Sequence, residues 1–177
     1  MRILILGAGQ VGSTLAKYLT LDDQNDITIV DQKEEMLTPL QRHLDIKTVV
    51  GYGPYPSVLE KAGIKSMDMV IAVMRSDERN MVACRMAHTL YNVKTKIARI
   101  RTTEYLLRPE IFSNEALPID FLITPENLVT DYIQGIVENP GASQVFDFEN
   151  GLVQLVETRA FIGTPIVNRP IKELHEH

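Results

Sequence analysis

Ile3-Leu4-Ile5-Leu6-Gly7-Ala8-Gly9-Gln10-Val11-Gly12 stands almost at the start of the chain, and its reading decides the fold. Four consecutive apolar residues suit a strand buried on both faces of a parallel sheet. The glycines that follow form a G-x-G-x-x-G pattern between that strand and a helical stretch. In that setting the first glycine permits the tight turn and the second lets a backbone approach a pyrophosphate. The third permits close helix–sheet packing, and the helix N-terminus offers N–H donors and a positive dipole. Nineteen residues beyond Gly12, closing the next apolar run Ile27-Thr28-Ile29-Val30, stands Asp31. An acid there accepts hydrogen bonds from an adenosine ribose and disfavours a 2′-phosphate, so NAD(H) is expected ahead of NADP.

Outward from this unit the same alternation continues. Lys47-Thr48-Val49-Val50, Met69 to Met74, Ile97 to Ile100 and Phe121-Leu122-Ile123 read as four further strands. Between them lie helical stripes: Val11, Leu15, Tyr18 and Leu19; Met36, Leu37, Leu40 and Leu44; and Met81, Cys84, His88 and Tyr91, with Ala83, Ala87 and Leu90 beside them. Thr124-Pro125-Glu126 opens another helix with a cap, a first-turn proline and an acid. Strands alternating with helices give an α/β fold: a Rossmann-like, doubly wound, parallel six-stranded sheet. The pattern changes near Glu138-Asn139-Pro140-Gly141, where Gln144 to Phe148 and Leu152 to Ala160 flank Asn150-Gly151, a hairpin signal. Residues 1–138 are therefore expected to be a nucleotide-binding domain, and residues 139–177 the start of a small β-rich one, too short to bury a core by itself.

The chain has 177 residues, with 18 Lys+Arg against 23 Asp+Glu, a net charge of −5. That balance gives no electrostatic reason to expect nucleic acid as a partner. A single cysteine, Cys84, excludes an intramolecular disulfide and a multi-cysteine metal site. No apolar run is long enough to span a bilayer, and the apolar run before Gly7 is too short for a signal-peptide core, so a cytoplasmic protein is expected. No nucleophile–base pairing or metal-ligand spacing is visible. His43 reads as a surface residue, His88 and Cys84 as core, and His175 and His177 as part of the chain end.

Three further places face the expected cleft. Arg99 interrupts the fifth strand and either forms a plain salt bridge or lies at the strand's carboxyl end, where a guanidinium pairs with phosphate or stacks on adenine. Met74-Arg75-Ser76-Asp77 leaves the fourth strand beside the first, its backbone lining the adenosine side while Ser76 or Asp77 caps the next helix. Gly51-Tyr52-Gly53-Pro54-Tyr55-Pro56 is a rigid aromatic turn, a connector at the cleft end of the sheet.

Leu6 to Gly12 through Leu15-Ala16, Asp26 to Asp31, Ser76-Asp77-Glu78, Asn80 to Cys84, Ile97 to Arg101, Pro118-Ile119-Asp120 and Pro125-Glu126 together resemble the N-terminal nucleotide-binding domains of the Trk potassium-uptake regulators, the RCK or KTN family. The resemblance covers essentially the whole chain. It implies a regulator of K⁺ conductance with a dehydrogenase-like fold and no hydride transfer. A nucleotide, NAD(H) first and ATP or ADP next, would sit on Gly7, Ala8, Gly9, Gln10, Val11 and Gly12. Asp31 would meet its ribose, and Met74, Arg75 and Arg99 would surround the cleft. The resemblance further implies paired domains, a homo-oligomeric ring in the full-length protein, and a membrane K⁺ channel subunit of the TrkH or TrkG kind. That places the protein at the inner face of the plasma membrane. Gln10 stands where ATP-responsive relatives carry arginine, which argues against strong ATP/ADP discrimination. Tyr52 stands where many relatives carry aspartate. Glu126 matches a position near paired-domain interfaces, but its place in a first turn favours capping. The family's full chain carries two such nucleotide domains, each followed by a smaller β-rich one, so a partial chain is expected. The alternatives are an NAD-dependent oxidoreductase fragment whose substrate domain is missing, and a nucleotide-binding module of another transporter.

Overall fold

A computed structural model describes residues 1–148, 152–163 and 167. The chain divides into two compact units, residues 1–124 and 125–177. In the first, strands β1 (Arg2–Leu6), β2 (Asp26–Asp31), β3 (Lys47–Val50), β4 (Met69–Ala72), β5 (Thr95–Arg99) and β6 (Phe121–Ile123) form one sheet in the order β3-β2-β1-β4-β5-β6. Every pairing is parallel. The helices between them are α1 (Gln10–Leu19), α2 (Glu34–His43), α3 (Pro56–Ala62), α4 (Asp77–Tyr91) and the single turn α5 (Thr103–Leu106). This is the doubly wound Rossmann-like sheet that the alternation of the sequence predicts.

The apolar runs divide between the two faces by the period of the pleat. Ile3, Ile5, Ile27, Ile29 and Ile71 pack with Ala16, Leu37 and Leu40 on the face covered by α1 and α2. Leu4, Leu6, Val30, Val70 and Ala72 pack with Leu59, Ala62, Met81, Cys84 and Ala87 on the face covered by α3 and α4. All four apolar residues of β1 are fully buried, as its central place in the sheet requires.

The stripes of the sequence are corrected in detail. In α1 the buried residues are Gly12 and Ala16, and Tyr18 is 69% exposed. The close approach of Gly12 to the preceding turn brings the small residues against the sheet and swings Tyr18 out. Met36 and Leu90 are exposed, while Leu37, Leu40, Met81 and Cys84 are core. His88 is half-buried on the flank of α4 rather than core, and His43 is exposed. The fourth strand ends at Ala72, two residues earlier than expected. The Met74 N–H is taken by the side chain of Asn80 instead of the ladder.

In the second unit α6 (Pro125–Glu138) begins at the expected proline and is followed by the antiparallel pair β7 (Ala142–Phe148) and β8 (Val153–Thr158). A Cβ on Gly135 would come within 3.2 Å of Val145, so α6 packs on β7 and groups with the hairpin. In the sequence the change of character falls near Glu138 to Gly141, at the far end of α6. Asn150-Gly151, His175 and His177 lie outside the described residues, and so does the side chain of Glu126.

Candidate nucleotide site

The loop from Gly7 to Gly12 sits where β1 leaves the middle of the sheet. The first glycine takes φ +107°, a conformation closed to most side chains, and its N–H donates to Val30 O at 2.8 Å. A Cβ on Gly7 would lie 3.0 Å from Met74 N and from Val73 O, so this turn rests directly on the end of β4. A Cβ on Gly12 would lie 1.9 Å from Gly7 O, which fixes how α1 seats on the sheet. Gly9 differs. Its φ is −68°, and a Cβ there would meet nothing within 4 Å. Neither the backbone nor the packing of the protein asks for glycine at position 9. The bare backbone at the N-terminus of α1 leaves room for an anion to approach its N–H donors.

Asp31 closes β2 beside this loop. Its Oδ2 accepts from Ala8 N at 2.8 Å and its Oδ1 from Lys33 N at 2.9 Å. The carboxylate is thus aimed by two backbone donors and stays partly accessible. Gln10 is exposed and Val11 half-buried at the start of α1.

On the other side of β1, Met74 and Arg99 come together. The Arg99 guanidinium donates from Nη2 to Met74 O at 2.7 Å. The side chain is thus directed from the carboxyl end of β5 back to the chain that leaves β4. Arg75 is exposed, and its carbonyl accepts from the Arg101 guanidinium. A Cβ on Gly53 would lie 2.9 Å from Met74 Sδ, so the aromatic turn after β3 also reaches this end of the sheet. Tyr52 and Tyr55 pack at 4.5 Å between ring centroids, and the Arg79 guanidinium lies 5.1 Å from the Tyr52 centroid. With Pro54, Glu78 and Val82 they line a hollow of about 230 Å³. A larger trough, about 500 Å³, lies at the opposite end of the strands beside Asp26 and Lys47. Doubly wound sheets bind ligands at the carboxyl end, so it has no part in the site.

Sequence reasoning missed the two residues that hold this cleft together. Asp77 and Asn80, in the first turn of α4, are 4% and 0% exposed. Asp77 Oδ2 accepts from Arg101 N at 2.9 Å and Thr102 N at 2.8 Å, with the Arg101 guanidinium 3.7 Å from Oδ1. Burial by itself works against the ionised form. The two backbone donors and the guanidinium outweigh it and hold the carboxyl below its ordinary value of 3.8. Asn80 bonds to the backbones of Met74 and Arg99. The available signal was a polar residue on the stripe shared with Ala83, Cys84 and Ala87. Ser76 caps the helix, accepting from Arg79 N at 3.3 Å.

A family model described as the TrkA-N domain matches residues 3–125. The chain belongs to the TrkA-N family. It is 52% identical over 177 residues to the Trk system potassium uptake protein TrkA of Halomonas elongata, covering all of this chain and 38% of that protein. To the protein of the same name from Vibrio alginolyticus it is 47% identical over 178 residues, covering all of this chain and 39% of that one. The chain thus spans about two-fifths of the length of the curated relatives it matches. Among solved structures it resembles the GsuK channel bound to NAD, with TM-score 0.64, 18% identity, and coverage of 83% of this chain and 25% of that one. It also resembles GsuK bound to ADP, with TM-score 0.62, 20% identity, and coverage of 77% and 34%. At those identities the likeness concerns the fold alone. No helix among the described residues is long and apolar enough to cross a membrane.

Proposed function

We propose that this TrkA-N chain is a nucleotide-sensing part of a Trk-type potassium-uptake regulator and not an enzyme. The observation that carries the reading is Gly9: its Cβ position is open to 4 Å, at the N-terminus of α1 and one residue from the Ala8 N–H that aims Asp31. The loop would hold a pyrophosphate through its backbone, and Asp31 would accept hydrogen bonds from the ribose. Met74, Arg75 and Arg99 would bound the far side. NAD(H) is the preferred ligand, with ATP or ADP next, because Asp31 disfavours a 2′-phosphate and neutral Gln10 adds no charge for a terminal phosphate. The NAD- and ADP-bound GsuK neighbours support a nucleotide as ligand, and the names of the curated relatives support the potassium-uptake reading.

In this reading the nucleotide acts by preferring one arrangement of paired domains over another, since a ligand shifts an equilibrium only by its differential affinity. A homo-oligomeric ring of such domains would pass the change to a membrane K⁺ channel subunit at the cytoplasmic face. The unit beginning with α6 would be the start of the smaller β-rich domain. Calorimetric titration with NAD⁺, NADH, ADP, ATP and NADP⁺ tests the site. Saturable binding of at least one of the first four, with NADP⁺ weaker, is expected. Absence of binding by folded protein, or steady turnover of a metabolite with NAD⁺, overturns it.

A further inference from the structure

Asn80 is fully buried, one turn after the buried Asp77 and at the head of the apolar inward residues Met81, Ala83, Cys84 and Ala87. An asparagine there is worse for the helix than alanine or leucine and brings a polar group into an apolar layer. Its cost is offset by three hydrogen bonds. Oδ1 accepts from Met74 N at 2.9 Å, and Nδ2 donates to Arg99 O at 2.8 Å and Met74 O at 3.2 Å. The partners leave no doubt which end of the amide is which, because an N–H needs the oxygen and two carbonyls need the nitrogen.

These are not helix contacts. Met74 lies two residues past the end of β4, and Arg99 closes β5, paired with Ile123 of β6 but one residue beyond the β4–β5 ladder, which ends at Ala72 and Ala98. Met74 O also accepts from the Arg99 guanidinium at 2.7 Å. One buried amide thus sets the backbone of both segments and the carbonyl on which the Arg99 side chain rests. Met74 N lies against the Gly7 turn, 3.0 Å from where its Cβ would be.

We infer that Asn80 is the positioning residue of the nucleotide site: it holds the Met74 and Arg99 backbones in the arrangement that presents them to the Gly7–Gly12 loop, without touching the nucleotide. This rests on the reading of that loop as a nucleotide site.

The test is Asn80→Asp in this chain. The variant is isosteric, but its ionised form faces Met74 O and Arg99 O with acceptors in place of donors. Burial, those carbonyls and the Asp77 carboxylate one turn earlier favour the neutral acid against the opposing pull of the Arg99 guanidinium on Met74 O, and its O–H restores one of the lost bonds. NAD⁺ affinity, measured where circular dichroism shows both proteins folded, is expected to fall about tenfold or more at about pH 8. It recovers toward wild type as the pH is lowered to about 5.5, while the wild type stays nearly flat. A merely structural role lowers the melting temperature and leaves the affinity of the folded protein alone; that outcome overturns the proposal.

Should the variant not fold, the wild type supplies the second measurement. On adding NAD⁺, the Asn80 side-chain amide resonances and the Met74 amide should shift along with those of Gly7 to Gly12. Shifts confined to the glycine loop sink the positioning role and leave the site standing. No shift in the loop sinks both.

Discussion

The carboxylate of Asp31 accepts a hydrogen bond from the backbone N–H of Ala8 at 2.8 Å, tying the end of β2 to the glycine loop that leaves β1. The acid therefore orders the loop as well as facing the cleft, and substitutions can separate the two roles. Asp31→Ala is expected to weaken NAD(H) binding by ~1–3 kcal/mol and also to lower stability, by about 1 kcal/mol. Asp31→Asn keeps an oxygen for Ala8 N–H but turns its NH2 toward Lys33 N–H, so it should spare part of the stability while still losing affinity. Titration calorimetry and urea melts of both variants check this, and unchanged affinity in both removes Asp31 from the site.

Asp77 gives a pH dependence whose sign is set by its donors. The N–H groups of Arg101 and Thr102 overcome the effect of burial and hold its folded pKa below the ordinary 3.8. A depressed carboxyl stabilises the fold above its unfolded pKa, and that stabilisation is lost as pH falls toward and through the folded value. Wild type should lose urea resistance steeply on acidification below about pH 4, and Asp77→Asn should start less stable and fall less steeply over the same range. Parallel curves for the two proteins remove Asp77 from the acid transition.

The sheet and the loop were legible because each depends on a local signal. Four apolar residues followed directly by Gly7 place β1 and its turn, and Asp31 ends an apolar run at the right distance. Asp77 and Asn80 were not legible as site-forming residues, because in sequence they resemble the ordinary polar first turn of a capped helix. What they do depends on Arg99, Arg101 and Thr102, about twenty residues away, and on the crossing that makes β4 and β5 neighbours. The α1 stripe held at Val11, Leu15 and Leu19, which pack against the core, and failed at Tyr18 for a similar reason. Tyr18 fits the helical period, but the 1.9 Å approach of a Gly12 Cβ to Gly7 O sets which face turns inward.

Cys84 should be inert in the folded protein. It is 0% exposed, and burial pushes its thiol up to about 12, so almost no thiolate exists at neutral pH. A chromogenic disulfide reagent should titrate no thiol under native conditions and one per chain after unfolding. Rapid native labelling would mean that α4 opens readily.

Lys96 anchors the edge strand. Its ammonium is buried at 3% exposure, 2.9 Å from Asp120 Oδ2 and bonded to the carbonyls of Val93 and Lys94, while Asp120 also accepts from Lys96 N at 2.6 Å. Asp120→Ala strands the cation, at an expected cost of about 2–3 kcal/mol, below the ~3–5 of a fully buried pair because Asp120 is one-third exposed. Lys96→Met with Asp120→Ala should recover part of that loss, since no charge is left buried. A double variant no more stable than Asp120→Ala alone would show that packing of β6, not the ion pair, sets the cost.

Gly9 and Gly12 should respond oppositely to the same added methyl group. At Gly12 a Cβ would lie 1.9 Å from Gly7 O, an overlap that backbone cannot relieve without lifting α1 from the sheet. Gly12→Ala is expected to cost more than ~3 kcal/mol, at or beyond the upper end of ordinary overpacking. At Gly9, φ −68° suits alanine and the Cβ would meet nothing within 4 Å. Gly9→Ala should leave stability within about 0.5 kcal/mol. Yet the methyl group would occupy the approach to the helix N-terminus, so nucleotide affinity should fall about tenfold or more, as expected where only backbone admits a pyrophosphate. Thermal melts and calorimetry of the pair separate the glycine that the fold needs from the one that the ligand needs. Full nucleotide affinity in Gly9→Ala would remove the main support for reading this loop as a nucleotide site.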